Sequence, residues 1–371
     1  MYSGIGAFVS PVHEPGQDPH LTIRRDLETI ELLDELNYDE AWVGEHHSMG
    51  WGTIGAPETV IAAASQRTRQ IKLANGVAPL PWHHPFHVAT RAVHLDHLTR
   101  GRYILGVGPG VPTDARMLGV ELSEQRSRAA EALPTVIELV NGEERVTRKA
   151  DWFSVRDAKL QLPRYSRQGL EIAMASGGSS PASPLLVGQH GISMVSFGLT
   201  QPGSTSAIAL DRQWQYVEEA AEEHGRVVDR RNWRIALPVH VADTRKQALD
   251  DVREGFDRWL HGYWEKAIGR DVSTPGIPKS RELEARIEAG GALVGSVDDV
   301  VAGMRRLQEQ SGGFGTFLNY VLDWAPWART RYSLDLLARE VAPRVNGAAD
   351  RPQESIDWNV ENRSVLSRPT S

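Results

Sequence analysis

Three titratable side chains stand together at Glu45, His46 and His47, at the end of the apolar run Ala41, Trp42 and Val43 in "DEAWVGEHHS". An imidazole titrates near neutral pH, so it can give or take a proton under ordinary conditions. Two adjacent histidines in an extended segment point to opposite sides, which assigns them different tasks. A carboxylate beside them can hold one ring in place. Taken alone, such a cluster could also be a polar surface turn, so the elements around it decide its meaning.

A second stretch, "ASGGSSPASP", is small and rich in hydroxyl groups. Ser183 is placed to cap a helix whose first turn begins at Pro184, where a missing N–H costs nothing. Free backbone N–H groups and the positive end of a helix dipole suit an anion, and a phosphate is the natural guest. Ser176, Gly177, Gly178, Ser179 and Ser180 complete that loop. A third stretch, "GVGPGVPTDARM", places glycines at 106, 108 and 110, where backbone can approach a ligand closely. In "NGVAPLPWHHPFH" the glycine at 76 and the prolines at 79 and 81 hold the chain off a regular path. An unusual peptide around Gly76 to Ala78 would press flat backbone against a flat ligand.

The histidines at 83, 84, 87, 94 and 97 are dense enough to raise a metal site. His84 with His87, or His94 with His97, would share a helical face. The same run carries Phe86, Ala89, Val93 and Leu98 at helical spacing, so packing explains it without zinc, and no metal is expected.

The elements that must position these groups alternate between strand and helix. Apolar runs at 4–9, 40–44, 71–79, 102–107, 170–175, 192–197, 234–241 and 315–321 read as eight strands. Ile23, Leu27, Ile30 and Leu33 recur at helical spacing between the first two, as do Val60, Ala63, Ala64 and Arg67 further on. Parallel strands need crossovers and helices supply them, so the alternation predicts a (β/α)₈ barrel with insertions after strands 4 and 7. The rival, a doubly wound sheet, would carry a phosphate-binding glycine signature after its first strand, and "GAFVSPVHEPG" lacks one. In a barrel the catalytic face lies at the C-terminal ends of the strands, which is where Glu45, His46 and His47 fall.

The barrel is expected over 1–344. Residues 145–168 read as an inserted hairpin with arms at Trp152 to Val155 and Ala158 to Leu162, and 256–290 as a mobile lid. Residues 345–371 form a polar tail that wraps the surface or stays disordered. Composition limits the partners. With 371 residues and a net charge of -7, the chain offers no basic surface for nucleic acid or anionic lipid. It has no cysteine, which excludes disulfides, thiolate metal sites and thiol nucleophiles. No stretch approaches a membrane span and the N-terminus has no signal-peptide pattern, so a cytoplasmic place is expected. Eleven tryptophans are many, and those beside prolines at 82, 324 and 327 are candidates to wall an apolar pocket.

In combination, "YDEAWVGEHHS", "KLANGVAPLPWHHPFHVATRAVHLDHLTRGRYILGVGPG" and "ASGGSSP" followed by "GQHGI" resemble the bacterial luciferase-like, flavin-dependent monooxygenases, closest to the limonene monooxygenase-like branch. The resemblance implies reduced FMN from a separate reductase, O2, oxygen transfer through a flavin C4a-hydroperoxide to a bulky apolar substrate, and a homodimer. It implies that His46 and His47 are catalytic, with His46 innermost. It also implies that Val77, Ala78 and Leu80 underlie the flavin ring, that Gly108 and Gly110 lie beside it, and that Ser179, Ser180 and Ser183 hold the phosphate. Where the family offers an arginine to that phosphate, this chain has Pro109. Two alternatives remain: an F420-dependent hydride-transfer enzyme of the same superfamily, separable by an oxygen-uptake assay, and a non-catalytic flavin-binding protein, which would retain FMN without turnover.

Overall fold

The computed structural model describes residues 4–9, 12–198, 207–269 and 272–363. Eight parallel strands form the barrel: β1 Gly4–Val9, β2 Glu40–Val43, β3 Lys72–Asn75, β4 Tyr103–Gly108, β5 Glu171–Ser176, β6 Ser193–Phe197, β7 Trp233–Leu237 and β8 Thr316–Val321. Each pairs with its neighbours, β1 pairs with β8, and Leu73 and Ala74 of β3 face Tyr103 and Ile104 of β4, so the sheet closes without an edge. All eight predicted strands are therefore present. Two are interrupted. The third breaks after Asn75 at a cis peptide between Gly76 and Val77, and Ala78–Pro79 then pairs with the end of β4. The seventh breaks at Pro238, beyond which Val239–Val241 pairs with Leu293–Gly295.

Side chains alternate between two cores. Phe8, Trp42, Ala74, Ile104, Ala173, Val195, Ala236 and Leu318, one from each strand, fill the barrel interior. The intervening residues, such as Ile5, Ala7, Ala41 and Leu73, pack under the helices. Gly106 is small by necessity, because a Cβ there would lie 1.8 Å from the Asn75 carbonyl and 2.8 Å from the Trp42 ring. The N-terminal end of the barrel is closed by ions. Arg234 donates to Glu40 at 2.7 and 3.0 Å and to Glu171 at 2.6 Å. Burial alone would lower the guanidinium pKa, but the two carboxylates outweigh it and raise it. The opposite end is thus the one open to chemistry.

The insertions differ in detail from expectation. The hairpin arms are Val146–Lys149 and Ser154–Ala158, not 152–155 and 158–162. Trp152 and Phe153, read as strand residues for their aromatic character, lie in the turn that Ala150 N–H closes on the Phe153 carbonyl at 2.9 Å. There Phe153 is buried and Trp152 donates to Glu131 at 3.0 Å. The segment expected as a lid is largely helical. The helix Arg245–Arg258 runs into a π-helix at Trp259–Ile268, and Glu282–Glu288 is a further helix, while 270–271 lie outside the described residues. The tail is also helical, at Ala342–Asn346 and Asp350–Glu361, although the latter buries no residue; 364–371 lie outside the described residues. No helix among the described residues is long and apolar enough to cross a membrane.

Candidate active site

A cavity of about 330 Å³ opens at the C-terminal ends of the strands. Its wall takes Phe8 from β1, Glu45 and His46 after β2, Gly76, Val77 and Pro79 after β3, and Pro109, Gly110 and Val111 after β4. The fifth loop adds Gly177, Ser179, Ser180 and Ser183, and the seventh adds Trp259, Tyr263 and Trp264.

The opening cluster divides as the alternation requires. His46 lines the cavity, and its Nδ1 faces the Asp114 carboxylate at 3.4 Å. With Nδ1–H given to Asp114, Nε2 is the nitrogen left for a ligand. Asp114 is buried and also accepts from the Ser48 hydroxyl and the His47 backbone N–H. Burial pushes its pKa up, but these hydrogen bonds, His46 first, hold it below the ordinary value. His47 turns away from the cavity and donates from Nε2 to Glu45 at 2.9 Å. The same Glu45 oxygen accepts from His83 at 2.8 Å and from the Trp82 indole at 3.2 Å. Burial raises the Glu45 pKa, and the donors from His83, His47 and Trp82 overcome it and leave the carboxyl below its ordinary value. Glu45 is therefore a tie that fixes three side chains, and His47 is one of them.

The fifth loop corrects one expectation and fills another. The helix is Ala182–His190 and begins before Ser183, so Ser183 sits in its first turn and Pro181 takes the cap position. The Ser180 hydroxyl accepts from the Ala182 N–H at 3.3 Å, so this serine does the capping. Pro184 falls at the third helical position, where a missing N–H is equally harmless. Ser179, Ser180 and Ser183 all reach the cavity wall. Ser176 and Gly178 do not. Ser176 donates to Gln213 at 3.1 Å and accepts from the Gly178 N–H, and Gly178 takes φ +71°, so both shape the loop from behind.

On the third and fourth loops, Val77 and Gly110 line the cavity, whereas Ala78 and Leu80 are buried against the core and Gly108 is off the wall. Gly110, at φ +75°, would place a Cβ 2.1 Å from the Trp82 ring, so only glycine fits.

Sequence reasoning missed Arg126, Asp114, Trp259, Tyr263, Trp264, Phe197 and Tyr320. Arg126, at the start of the helix Gln125–Asn141 after β4, lines the same cavity as Ser179, Ser180 and Ser183. Strands β4 and β5 are hydrogen-bonded neighbours, so the two segments share one side of the mouth. A lone arginine in a polar run gives no signal of this. Asp114 stood within "PTDARM" but had no visible partner. Trp259, Tyr263 and Trp264 were inside the lid segment, where "WLHGYW" was read for charge rather than for its aromatics. Phe8, Phe197 and Tyr320 form an edge-to-face group on the wall, with centroids 5.2 to 5.9 Å apart. Conversely, Trp324 packs on Phe256 and Trp259, and Trp327 is away from this cavity, so neither walls it. The dense histidines serve locally: His84 caps the helix Pro85–Thr99, His94 bonds its own helical turn and His97 the Pro163 carbonyl. Among the described residues no group of His, Asp and Glu gathers as metal ligands.

One cavity thus carries a histidine backed by a buried carboxylate, an arginine and a helix start. The family model for luciferase-like monooxygenases matches residues 4–313. The chain belongs to that family. The sequence is 47% identical over 361 residues, 96% of each chain, to 4-hydroxyprotoasukamycin monooxygenase of Streptomyces nodosus subsp. asukaensis. It is 41% identical over 347 residues to limonene 1,2-monooxygenase of Rhodococcus erythropolis, covering 92% of this chain and 86% of that one. Among solved structures, the oxygenating constituent of 3,6-diketocamphane monooxygenase from Pseudomonas putida, a type II Baeyer-Villiger monooxygenase in complex with FMN, superposes with a TM-score of 0.77 at 27% identity. That match covers 93% of this chain and 99% of that one. This luciferase-like chain is a monooxygenase by that membership.

Proposed function

We propose that this chain is the oxygenating component of a two-component system, taking reduced FMN from a separate reductase and using O2 to oxygenate a bulky apolar substrate. The observation that carries the reading is the meeting, in one cavity, of His46 and an anion-suited end. The residues present fit FMN. Ser179, Ser180 and Ser183 with the N–H groups at the helix start suit its phosphate, and Arg126 supplies the cation that Pro109 does not. Gly76, Val77 and Pro79 offer a side-chain-poor strip for the flat ring system. A relative of this fold binds FMN and is named an oxygenating constituent, which supports both the cofactor and the division of labour.

When bound, the flavin supplies the oxygen chemistry. The protein's part is to hold it, exclude water and manage one proton. His46 Nε2 does the last, with Asp114 fixing the ring through Nδ1. Trp259, Tyr263 and Trp264 cover the mouth and keep water out. A homodimer follows from the family reading. The deciding experiment measures oxygen uptake with reduced FMN and a cyclic terpene, beside an absorbance assay with F420. Substrate-dependent uptake with FMN supports the proposal; turnover with F420 alone overturns it.

A further inference from the structure

Behind the roof of the cavity lies a buried cation with an incomplete set of partners. Arg286, in the helix Glu282–Glu288, is only 7% exposed. One Nη donates to the Val272 carbonyl at 2.6 Å, while Nε is buried with no hydrogen-bond partner among the described residues. Its ion-pair partner Glu282 stays 4.0 Å away, because that wholly buried carboxylate is held by the Thr274 N–H at 2.6 Å and the Thr274 hydroxyl at 3.0 Å. Burial lowers the Arg286 pKa and Glu282 only partly offsets this, yet a guanidinium keeps its charge at any ordinary pH. What the cation does have is aromatic: it stands over the rings of Phe256 and Trp259, 5.9 Å from each centroid.

Trp259 is the ring through which this contact reaches the site. It lines the active-site cavity, and Arg286 does not. It also lines a second cavity, of about 170 Å³, whose wall carries Glu14, Arg25, Arg258 and Asp323. One indole thus stands between an apolar space and a charged one that holds water readily. Its other neighbours, Trp264 at 5.8 Å and Trp324 at 5.3 Å, are edge-to-face contacts in a cluster of large apolar side chains. Such clusters lose a unique arrangement before they lose stability. A buried ion pair commonly stabilises a fold no more than apolar side chains of the same volume, whereas a cation over a ring face sets a direction.

We propose that Arg286 is a positioning residue for the oxygenation site: from behind the roof it holds the Trp259 indole in one orientation and so keeps the apolar cavity shut off from the charged one. The inference rests on the reading of Trp259, Tyr263 and Trp264 as the cover that keeps water from the reaction.

The test labels the full chain with 5-fluorotryptophan and follows residue 259 by fluorine NMR without flavin, its resonance identified by its loss in Trp259→Phe. The wild type is expected to give one resonance for this position. Arg286→Met is made together with Glu282→Gln, so that no bare charge stays buried, and Glu282→Gln alone is the control. The double variant should keep its melting temperature and split the resonance, while the control keeps it single. In turnover with reduced FMN and limonene, hydrogen peroxide per flavin consumed should rise about threefold in the double variant. In a Trp259→Phe background the same pair of substitutions should add nothing, since the effect passes through that indole. A wild-type resonance that is already split overturns the proposal without recourse to any variant. So does a single, unmoved resonance in the double variant, or a rise in peroxide as large without Trp259 as with it. Absence of oxygen uptake by the wild type sinks the cofactor reading instead, and the NMR comparison then decides this one.

Discussion

His46 Nδ1 lies 3.4 Å from Asp114 Oδ2, and Asp114 is wholly buried while His46 reaches the cavity. The pair joins the second and fourth loops of the barrel, so an imidazole from one loop takes its orientation from a carboxylate on another. His46→Ala is expected to lower turnover by about 10² to 10⁴ with little change in FMN affinity. Asp114→Asn keeps an acceptor oxygen for Ser48 and the His47 N–H but turns an N–H donor toward His46 Nδ1, which sets the ring in the other tautomer. The single-turnover rate should fall by about tenfold or more with FMN affinity unchanged. A rate that stays in place in Asp114→Asn means that the pair only holds the loops together.

Arg126 and the serines of the fifth loop predict a ligand-specific loss. Arg126→Gln should weaken FMN about tenfold and leave riboflavin, which has no phosphate, within twofold. Ser180→Ala with Ser183→Ala should act in the same direction. Calorimetric titration of both ligands decides the matter. Equal weakening of the two would place the phosphate elsewhere.

The roof predicts a coupling defect. Gly262→Val drives a side chain into the Trp51 ring and must displace Trp259–Trp264 from the mouth. More hydrogen peroxide per substrate oxygenated is expected, with the far-ultraviolet circular dichroism of the barrel retained. Unchanged coupling would mean that the roof does not keep water from the reaction.

His13 predicts a pH window for stability. It is buried between Asp26, at 3.0 Å, and Asp323, at 2.8 Å, with Arg25 also on Asp323. Burial opposes its charge, but hydrogen bonds from the imidazolium to the two aspartates raise its pKa to about 9. A raised histidine pKa contributes stability that is complete below about 6.5 and is lost as pH rises through about 9. The melting temperature should therefore fall across that interval, corresponding to roughly 3 kcal/mol. His13→Gln should be less stable at pH 6 and show no such fall. A flat wild-type profile between pH 6 and 9 refutes the assignment.

The barrel was legible because each strand is a buried apolar run and each crossover begins or repeats at helical spacing. His46 and Ser180 were legible because their chemistry sits at strand ends, where the fold collects it. The structure departs from the sequence reading where position is decided by packing rather than by local pattern. Trp152 and Phe153 have strand propensity, yet they find their partners from a turn. Ser183 and Pro184 look like a helix start, yet Pro181 serves and Ser180 caps. Arg126 shows the limit most clearly, since nothing within its helix distinguishes it from Arg128, which instead pairs with Glu124 and covers Trp152.

The cluster of Trp51, Phe256, Trp259, Leu260, Tyr263 and Trp324 is separate from both the interior of the barrel and the layer beneath its helices. The ceiling over the cavity and the barrel frame are therefore packed in different hydrophobic clusters. Mutations that remodel the ceiling draw on the small cluster, and the eight strands that fix His46 and the fifth loop keep their own packing. For a directed-evolution library, this argues for confining diversity to 256–268 and position 51, where new substrate range can be gained without putting the catalytic frame at risk.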